Sequence, residues 1–242
     1  MKQGIIFAAA LLCTTALAAA PVKFVRDSKL VEFSYAWPAE AAAVPALDRR
    51  FRADLNKSLK DALANARDDQ TLAKQQKRDF NQHVFSMQWT TAGQTPRLLS
   101  LQSELGTFEG GAHPITSYNS LLWDRRLNRQ VSFGELFTRS SAFAALTHQA
   151  YCKALDKQRA KRREGMKLDL AEFNACPKYS ELAIAPMDTN KDGRFDTIDF
   201  VASPYVAGPY VEGEYDTRLP ITRQLIAAIR PGFRASFEPQ RQ

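Results

Sequence analysis

The chain has 242 residues, with 33 Lys and Arg against 26 Asp and Glu and a formal net charge of +7. Hydrophobic residues make up 45% and charged residues 24%, which excludes wholesale disorder, a collagen-like repeat and a multi-span membrane protein. The length supports one large domain or two small ones around a real core, and three cysteines are too few for a disulfide-built miniprotein or a cysteine-rich zinc module.

The basic balance admits nucleic acid, anionic envelope polymers or acidic proteins as partners. The N-terminus chooses among them. Residues 1–20 read MKQGIIFAAALLCTTALAAA: a positive Lys2, an uncharged apolar stretch from Gly4 to Leu17, and the small-x-small pattern Ala16-Leu17-Ala18 that signal peptidase accepts. The run is shorter than the ~20 residues a spanning helix needs, so a cleaved signal peptide is expected rather than a membrane anchor. Pro21 disfavours a cut after Ala20, which puts cleavage after Ala18 or Ala19. Lipidation at Cys13 is not expected, because Leu12 stands where a small residue is needed. The mature chain is then periplasmic or secreted, has no transmembrane segment, and loses nucleic acid as a partner. It keeps Cys152 and Cys176. In an oxidising compartment these are expected to pair rather than remain free thiols, closing about 25 residues and adding roughly 3 kcal/mol.

No repeat or flexible linker divides residues 21–242. Lys29 to Tyr35 alternates as a strand, with Leu30, Val31, Phe33 and Tyr35 among its apolar positions. Val44, Leu47, Phe51, Leu55, Leu59 and Leu63 recur at spacings of three and four and predict an amphipathic helix. Asp68 to Asp79 continues it as a charged, helical or frayed segment. From Gln82 the period returns to two. Strands are predicted over Val84 to Trp89, Arg97 to Phe108 and Ile115 to Trp123, with Gly93 in the first turn and Asp124 to Arg129 as a hairpin loop. Val131 to Phe137 leads into a helix from about Ser140 to Arg163. The basic run Arg159, Lys161, Arg162, Arg163 and Lys167 lies at its end, either as a solvated terminus that suits the helix dipole or as a patch for an anionic polymer. Leu182 to Ile184, Phe195 to Ala202 and Tyr215 to Leu219 are short strands, and Pro220 opens a last helix carrying Ile221, Leu225, Ile226 and Ile229. Strands and helices are grouped, so the expected class is α+β with a largely antiparallel sheet and packed helices.

Asp188-Thr189-Asn190-Lys191-Asp192-Gly193 has the D-x-[DN]-x-[DN]-G form of a calcium loop. Asp188, Asn190 and Asp192 would supply side-chain oxygens, Arg194 its carbonyl, and Asp196 and Asp199 stand at positions 9 and 12. Position 12 lacks the longer Glu, and the flanks read as strands rather than helices. The loop is therefore either a hairpin-borne calcium site or a plain turn rich in Asp, Asn and Gly. Catalytic patterns are sparse. His83, His113 and His148 sit in no metal-ligand spacing, and there is no nucleophile elbow, P-loop or dinucleotide motif. Glu104, Glu109 and Asp124 offer a weak carboxylate pair of the kind a glycosidase uses. Gly106-Thr107-Phe108-Glu109-Gly110-Gly111-Ala112-His113-Pro114 stands out, because Gly110-Gly111 permits positive φ and Pro114 forces extended geometry on His113. It reads as a tight inter-strand turn or as a loop presenting His113.

Gly106 to Pro114, with Asn119, resembles the G-x-[YF]-x-GGAHP element of an envelope domain family found in RsiV-type anti-sigma factors and beside PdaC-type peptidoglycan deacetylases. Val131, Phe133, Leu136 and Phe137 stand where that family has L-x-x-L-F. Pro204 to Gly213, containing Tyr205 and Tyr210, followed by Leu219-Pro220, matches its later Y-x-[VI]-A-x-Y-A-x-G element, one residue longer between the tyrosines. The resemblance implies a two-part domain after the signal peptide at 1–20: a PdaC-like strand-helix-strand part over 21–97 and an RsiV-like part over 98–242. It implies binding residues at Gly110, Gly111, His113, Pro114, Tyr205 and Tyr210. No sigma-binding segment precedes the signal and no deacetylase domain follows, so neither of those activities is expected to carry over. The expected role is a non-enzymatic envelope binding domain for peptidoglycan or a wall-active protein such as lysozyme. Lysozyme is itself basic, so it would need a local acidic face, such as one built from Glu104, Glu109 and Asp124. The other readings are a carboxylate- or His113-dependent wall hydrolase and a calcium-stabilised structural protein.

Overall fold

The computed structural model describes residues 19–164 and 170–240. The expected signal peptide falls almost wholly at 1–18, and Lys167 of the basic run at 165–169; both lie outside the described residues. Six strands form one sheet in sequence order: β1 (Val22–Asp27), β2 (Val31–Trp37), β3 (His83–Gln94), β4 (Leu98–Phe108), β5 (Ile115–Asp124) and β6 (Arg129–Val131). All neighbours are antiparallel except β2 and β3. A parallel pair needs a crossover, and after the short helix α1 (Ala39–Ala42) the long helix α2 (Pro45–Gln76) supplies it. Pro45 opens α2 at its first turn, where its missing N–H costs nothing, and Lys77 closes it in the left-handed conformation at φ 55°. The stripe Leu47, Phe51, Leu55 and Leu63 is buried against Phe33, Tyr35, Trp37, Met87, Trp89, Leu99, Leu101 and Trp123. The charged continuation from Asp68 is helical to Gln76, because Ala66 and Ala73 extend the buried face.

β1 had no clear sequence signal. It is an edge strand whose partly buried Val22 and Phe24 alternate with Lys23 and a Val25 that is largely exposed. Gly93 is not in a turn as expected. It sits in β3 at a bulge, where a Cβ would stand 2.6 Å from the Asp188 backbone nitrogen. The turn follows at Thr95, whose Oγ1 accepts from the Arg97 and Leu98 amides.

The second half is a three-stranded antiparallel sheet, β7 (Leu182–Met187), β8 (Thr197–Ala202) and β9 (Tyr215–Pro220), with β8 central and buried throughout. Helix α3 (Ala142–Arg162) lies against it through Phe143, Thr147, Tyr151, Leu155 and Arg159, a four-residue spacing that makes one stripe. Phe200 of β8 stacks on Phe143 and Tyr151 at 5.9 and 5.0 Å. The expected last helix is divided. Thr222 caps α4 (Arg223–Ala228), then Ile229 turns extended and bridges to Phe137 before Pro231 opens α5 (Pro231–Arg234). The second sheet abuts the first along β5: Ser120 Oγ accepts from the Ile184 amide, and Ser203 Oγ from the Tyr118 amide. The division expected at residue 97 therefore falls inside the six-stranded sheet. Two cores flank that sheet, and Leu98 and Leu99 point to opposite ones. The class is α+β.

Candidate functional site

The Gly106–Pro114 segment is the end of β4 and the connection to β5. Gly110 adopts φ +79°, which an L side chain resists, and its carbonyl accepts from Asn81 Nδ2 at 3.5 Å. The turn places His113 just before β5. His113 Nδ1 lies 2.8 Å from the Pro114 carbonyl. A carbonyl only accepts, so Nδ1 carries a proton, and in the neutral ring Nε2 is the acceptor. Tyr205 Oη donates to that Nε2 at 3.2 Å.

Tyr205 and Tyr210 come from the loop between β8 and β9. Tyr205 holds φ +71° in a turn closed by its own amide to the Gly208 carbonyl. Tyr210 begins a 3₁₀ turn over Tyr210–Glu212 and stacks on His113 with ring centroids 3.8 Å apart, while the two tyrosine rings are 5.8 Å apart. Gly110, Gly111, His113, Pro114, Tyr205 and Tyr210, read from two distant segments, are thus one cluster. It is open to solvent: Tyr205 is 49% exposed and Val211, next to Tyr210, 89%.

The basic run of α3 does something else than expected. Arg159 and Arg163 are buried and face inward, holding this loop from below. Arg159 donates to the carbonyls of Ala207, Asn174 and Ala175. Arg163 grips both oxygens of Glu212 at 2.8 and 3.0 Å, and Tyr215 Oη donates to Glu212 at 2.5 Å. Burial opposes charge on Glu212, but Arg163 and the Tyr215 hydroxyl outweigh it and hold the carboxyl below its usual range. Gly208 is required here, since a Cβ would strike the Glu212 carboxylate. Arg162 reaches the carbonyls of Glu212 and Glu214 and lies over Tyr215. These arginines were missed as positioning residues. Their signal was the spacing of four that continues the buried stripe Thr147, Tyr151, Leu155.

Cys152 and Cys176 are disulfide-bonded, and His148 Nε2 stands 3.5 Å from Cys152 Sγ. Glu104, Glu109 and Asp124 do not make one acidic face. Asp124 is buried at the far end of β5, bonded to Arg97 and to the Arg126 and Leu127 amides, while Glu104 pairs across from Tyr118 nearer the other end.

In the calcium-like loop, Asp188 accepts from the Asp192 and Gly193 amides, Asn190 Oδ1 from the Asp192 amide, and Asp192 from the Arg194 amide. Asp196 accepts from the Thr189 amide and hydroxyl. Asp199 is placed elsewhere, in β8, with Oδ2 accepting from Gln102. The side chain brought to the loop instead is Glu238, which contacts Asn190 Nδ2 and Arg194 Nη2, both at 2.6 Å. Backbone bonds of Phe195 to Ser236 and Glu238 deliver it. Oxygen is the ligand type a hard cation takes, but among the described residues Asp188, Asp192 and Glu238 do not bring three carboxylate oxygens within 4.8 Å of one another. Arg194, bonded to both Asp192 and Glu238, already supplies positive charge there.

Residues 24–116 match the family model described as Deacetylase PdaC, so the match includes the Gly106–Pro114 turn. The whole fold is similar to two solved structures. A DUF3298 family protein from Pseudomonas aeruginosa superposes with TM-score 0.53 at 16% identity, covering 92% of this chain and 96% of that one. A DUF3298 family member from Bacteroides fragilis gives TM-score 0.53 at 15% identity, covering 90% and 98%. No curated protein sequence matches the chain. The fold is that of the DUF3298 structures, and the resemblance to the RsiV and PdaC families agrees with both findings.

Proposed function

We propose that the chain is an exported, non-enzymatic cell-envelope domain that binds a wall polymer through the His113–Tyr205–Tyr210 surface. One observation carries the reading: residues from two distant segments meet in a half-buried aromatic stack with Tyr205 exposed beside it, on a loop that buried arginines hold in place. Sugar rings offer apolar faces to such rings and hydroxyls to Tyr and His. The disulfide suits an oxidising compartment, and among the described residues no helix is long and apolar enough to cross a membrane. The net charge of +7 favours anionic peptidoglycan over basic lysozyme, whose approach it would slow. A wall hydrolase is supported less well. A glycosidase holds its carboxyls about 5–9 Å apart, whereas Asp124 is buried against Arg97 six strand positions from Tyr118, the partner of Glu104.

The test is co-sedimentation of the mature protein with purified peptidoglycan, and capture on immobilised lysozyme, each with native protein and His113→Ala. Retention on peptidoglycan that the substitution removes supports the proposal. Retention on lysozyme alone moves the ligand to a protein, and retention by neither ends the binding reading.

A further inference from the structure

A cleft of about 230 Å³ lies between the two sheets, lined from β3, β4, β5, β7, β8 and β9. Four of its lining residues are carboxylates: Glu104, Asp199, Glu214 and Asp216. Asp199 is the deepest, 2% exposed on the central strand β8. Its Oδ2 accepts from Gln102 at 2.7 Å, but its buried Oδ1 has no hydrogen-bond donor. The nearest cation to that oxygen is Arg218 Nε at 3.5 Å. Asp216 lines the same cleft and meets the same arginine, Arg218 Nη2, at 3.0 Å. A buried carboxylate that shares a cleft with other carboxylates favours a bound proton or a neighbouring cation.

Arg218 is the one cation lining the cleft, and its side chain is 56% exposed. Its guanidinium bridges the two carboxyls, 3.0 Å from Asp216 and 3.5 Å from Asp199. Tyr118 lines the same cleft, and its hydroxyl is affected by the same carboxyls. Burial, followed by the charges of Glu214, Glu104 and Asp216, pushes it up to about 12. The arrangement does not suit a small metal ion. Among the described residues, the group of three His, Cys, Asp or Glu ligand atoms within 4.8 Å of one another is His148, Cys152 and Cys176, outside this cleft. A larger cation fits better, and the Ala183 and Val201 walls can take an alkyl stem while the carboxyls take its head.

We propose that this cleft binds an alkylammonium group, whose charge enters between Asp199 and Asp216 as Arg218 swings outward. The group can arrive on a protein lysine or on a free diamine. The reading is independent of the aromatic surface.

The test is titration calorimetry of the mature protein near neutral pH and low salt. The probes are Nα-acetyl-lysine N-methylamide, cadaverine, and the uncharged Nα-acetyl-norleucine N-methylamide. At least one cationic probe is expected to bind and the norleucine probe not to. Binding of the lysine probe alone assigns the site to a protein side chain, and of cadaverine alone to a free diamine. Asp216→Asn should weaken binding at least about tenfold, and Arg218→Met should tighten it by removing the internal competitor. Both side chains are substantially exposed, so the fold is retained. No binding of either cation at about 10 mM, equal binding of the norleucine probe, or unchanged affinity in Asp216→Asn would overturn the proposal.

Discussion

The ring of Tyr210 lies on the imidazole of His113, 3.8 Å between centroids and 22° from parallel. One residue comes from the β4–β5 turn and the other from the β8–β9 loop, so the stack joins the two sheets at one point. Neither ring is needed to fill a core. His113→Ala and Tyr210→Ala should therefore leave the melting temperature nearly unchanged, within the ~0.5 kcal/mol typical of surface changes. Each should weaken peptidoglycan retention at least about tenfold, as loss of an aromatic anchor does. Large thermal destabilisation with retention unaffected would make the stack a structural clasp instead.

Arg163 and Glu212 form a nearly buried pair, 9% and 10% exposed at the side chain. Removing one partner strands the other charge. Arg163→Met should cost about 3–5 kcal/mol, and it should loosen the loop that presents Tyr205 and Tyr210. The double change Arg163→Met with Glu212→Leu should recover much of the stability, since well-packed apolar replacements of buried pairs are often neutral. Urea titration of the three variants measures this. A double variant no more stable than the single one would mean that the loop depends on the hydrogen bonds themselves.

The disulfide ties the end of α3's third turn to the segment before β7. On the chain-entropy estimate it contributes about 3 kcal/mol. For a domain of this size that corresponds to a fall of about 6–12 °C in melting temperature on reduction. Cys152→Ser with Cys176→Ser should show the same fall without reductant. A shift below a degree in both experiments would mean that the reduced ends stay packed on Tyr179 and Leu155.

The periodic parts of this fold were legible. The α2 stripe from Leu47 to Leu63, the alternating strands β3 to β5 and the cysteine pair each follow from one local rule. The failures are non-local. Gly93 looks like a turn residue, and only the packing of Asp188 on it shows why it sits in a strand. Ile229 fits a helical stripe, but Pro231 and the bridge to Phe137 draw it out. Arg159 and Arg163 look like a solvated helix end, because nothing local says that Ala207 and Glu212 will arrive above them. Asp199 has the correct spacing for a calcium ligand, yet β8 carries it to the cleft while Glu238 takes the place beside Asn190. The His113–Tyr205–Tyr210 cluster was legible only through its family resemblance, since no spacing rule links those residues.

Calcium remains a proposal for the Asp188–Gly193 loop, and the structure changes which variant tests it. A dissociation constant tenfold below the ion concentration would add about 1.4 kcal/mol, read as a rise of about 3–6 °C. Asp188→Ala should abolish the rise, and Asp199→Asn should leave it intact. An unchanged melting temperature in millimolar calcium removes the ion, and the loop then stands on its own amide bonds and Arg194.

Asp199 also sets a pH dependence opposite to that of the other perturbed acids. Burial, reinforced by Asp216, pushes its carboxyl up to about 7 from an unfolded value of 3.8, against the smaller opposing effects of Gln102 and Arg218. Between those values the folded chain holds a proton that the unfolded chain has released. Each rise in pH across the window therefore favours unfolding, and the loss stops above about 7. Asp124 runs the other way. Burial opposes its charge, but Arg97 and the Leu127 and Arg126 amides prevail and lower it, so its contribution is intact above its unfolded value and is lost only as pH falls through the lower folded one. Stability should thus peak in mildly acid solution and decline toward neutrality. Asp199→Asn, which keeps the contact with Gln102 and cannot ionise, should flatten the decline between about pH 4 and 7. Urea midpoints across that range decide it: a native chain that gains stability as pH rises through the window, or an Asn variant that keeps the native slope, would show that the Asp199–Asp216 pair does not hold the proton.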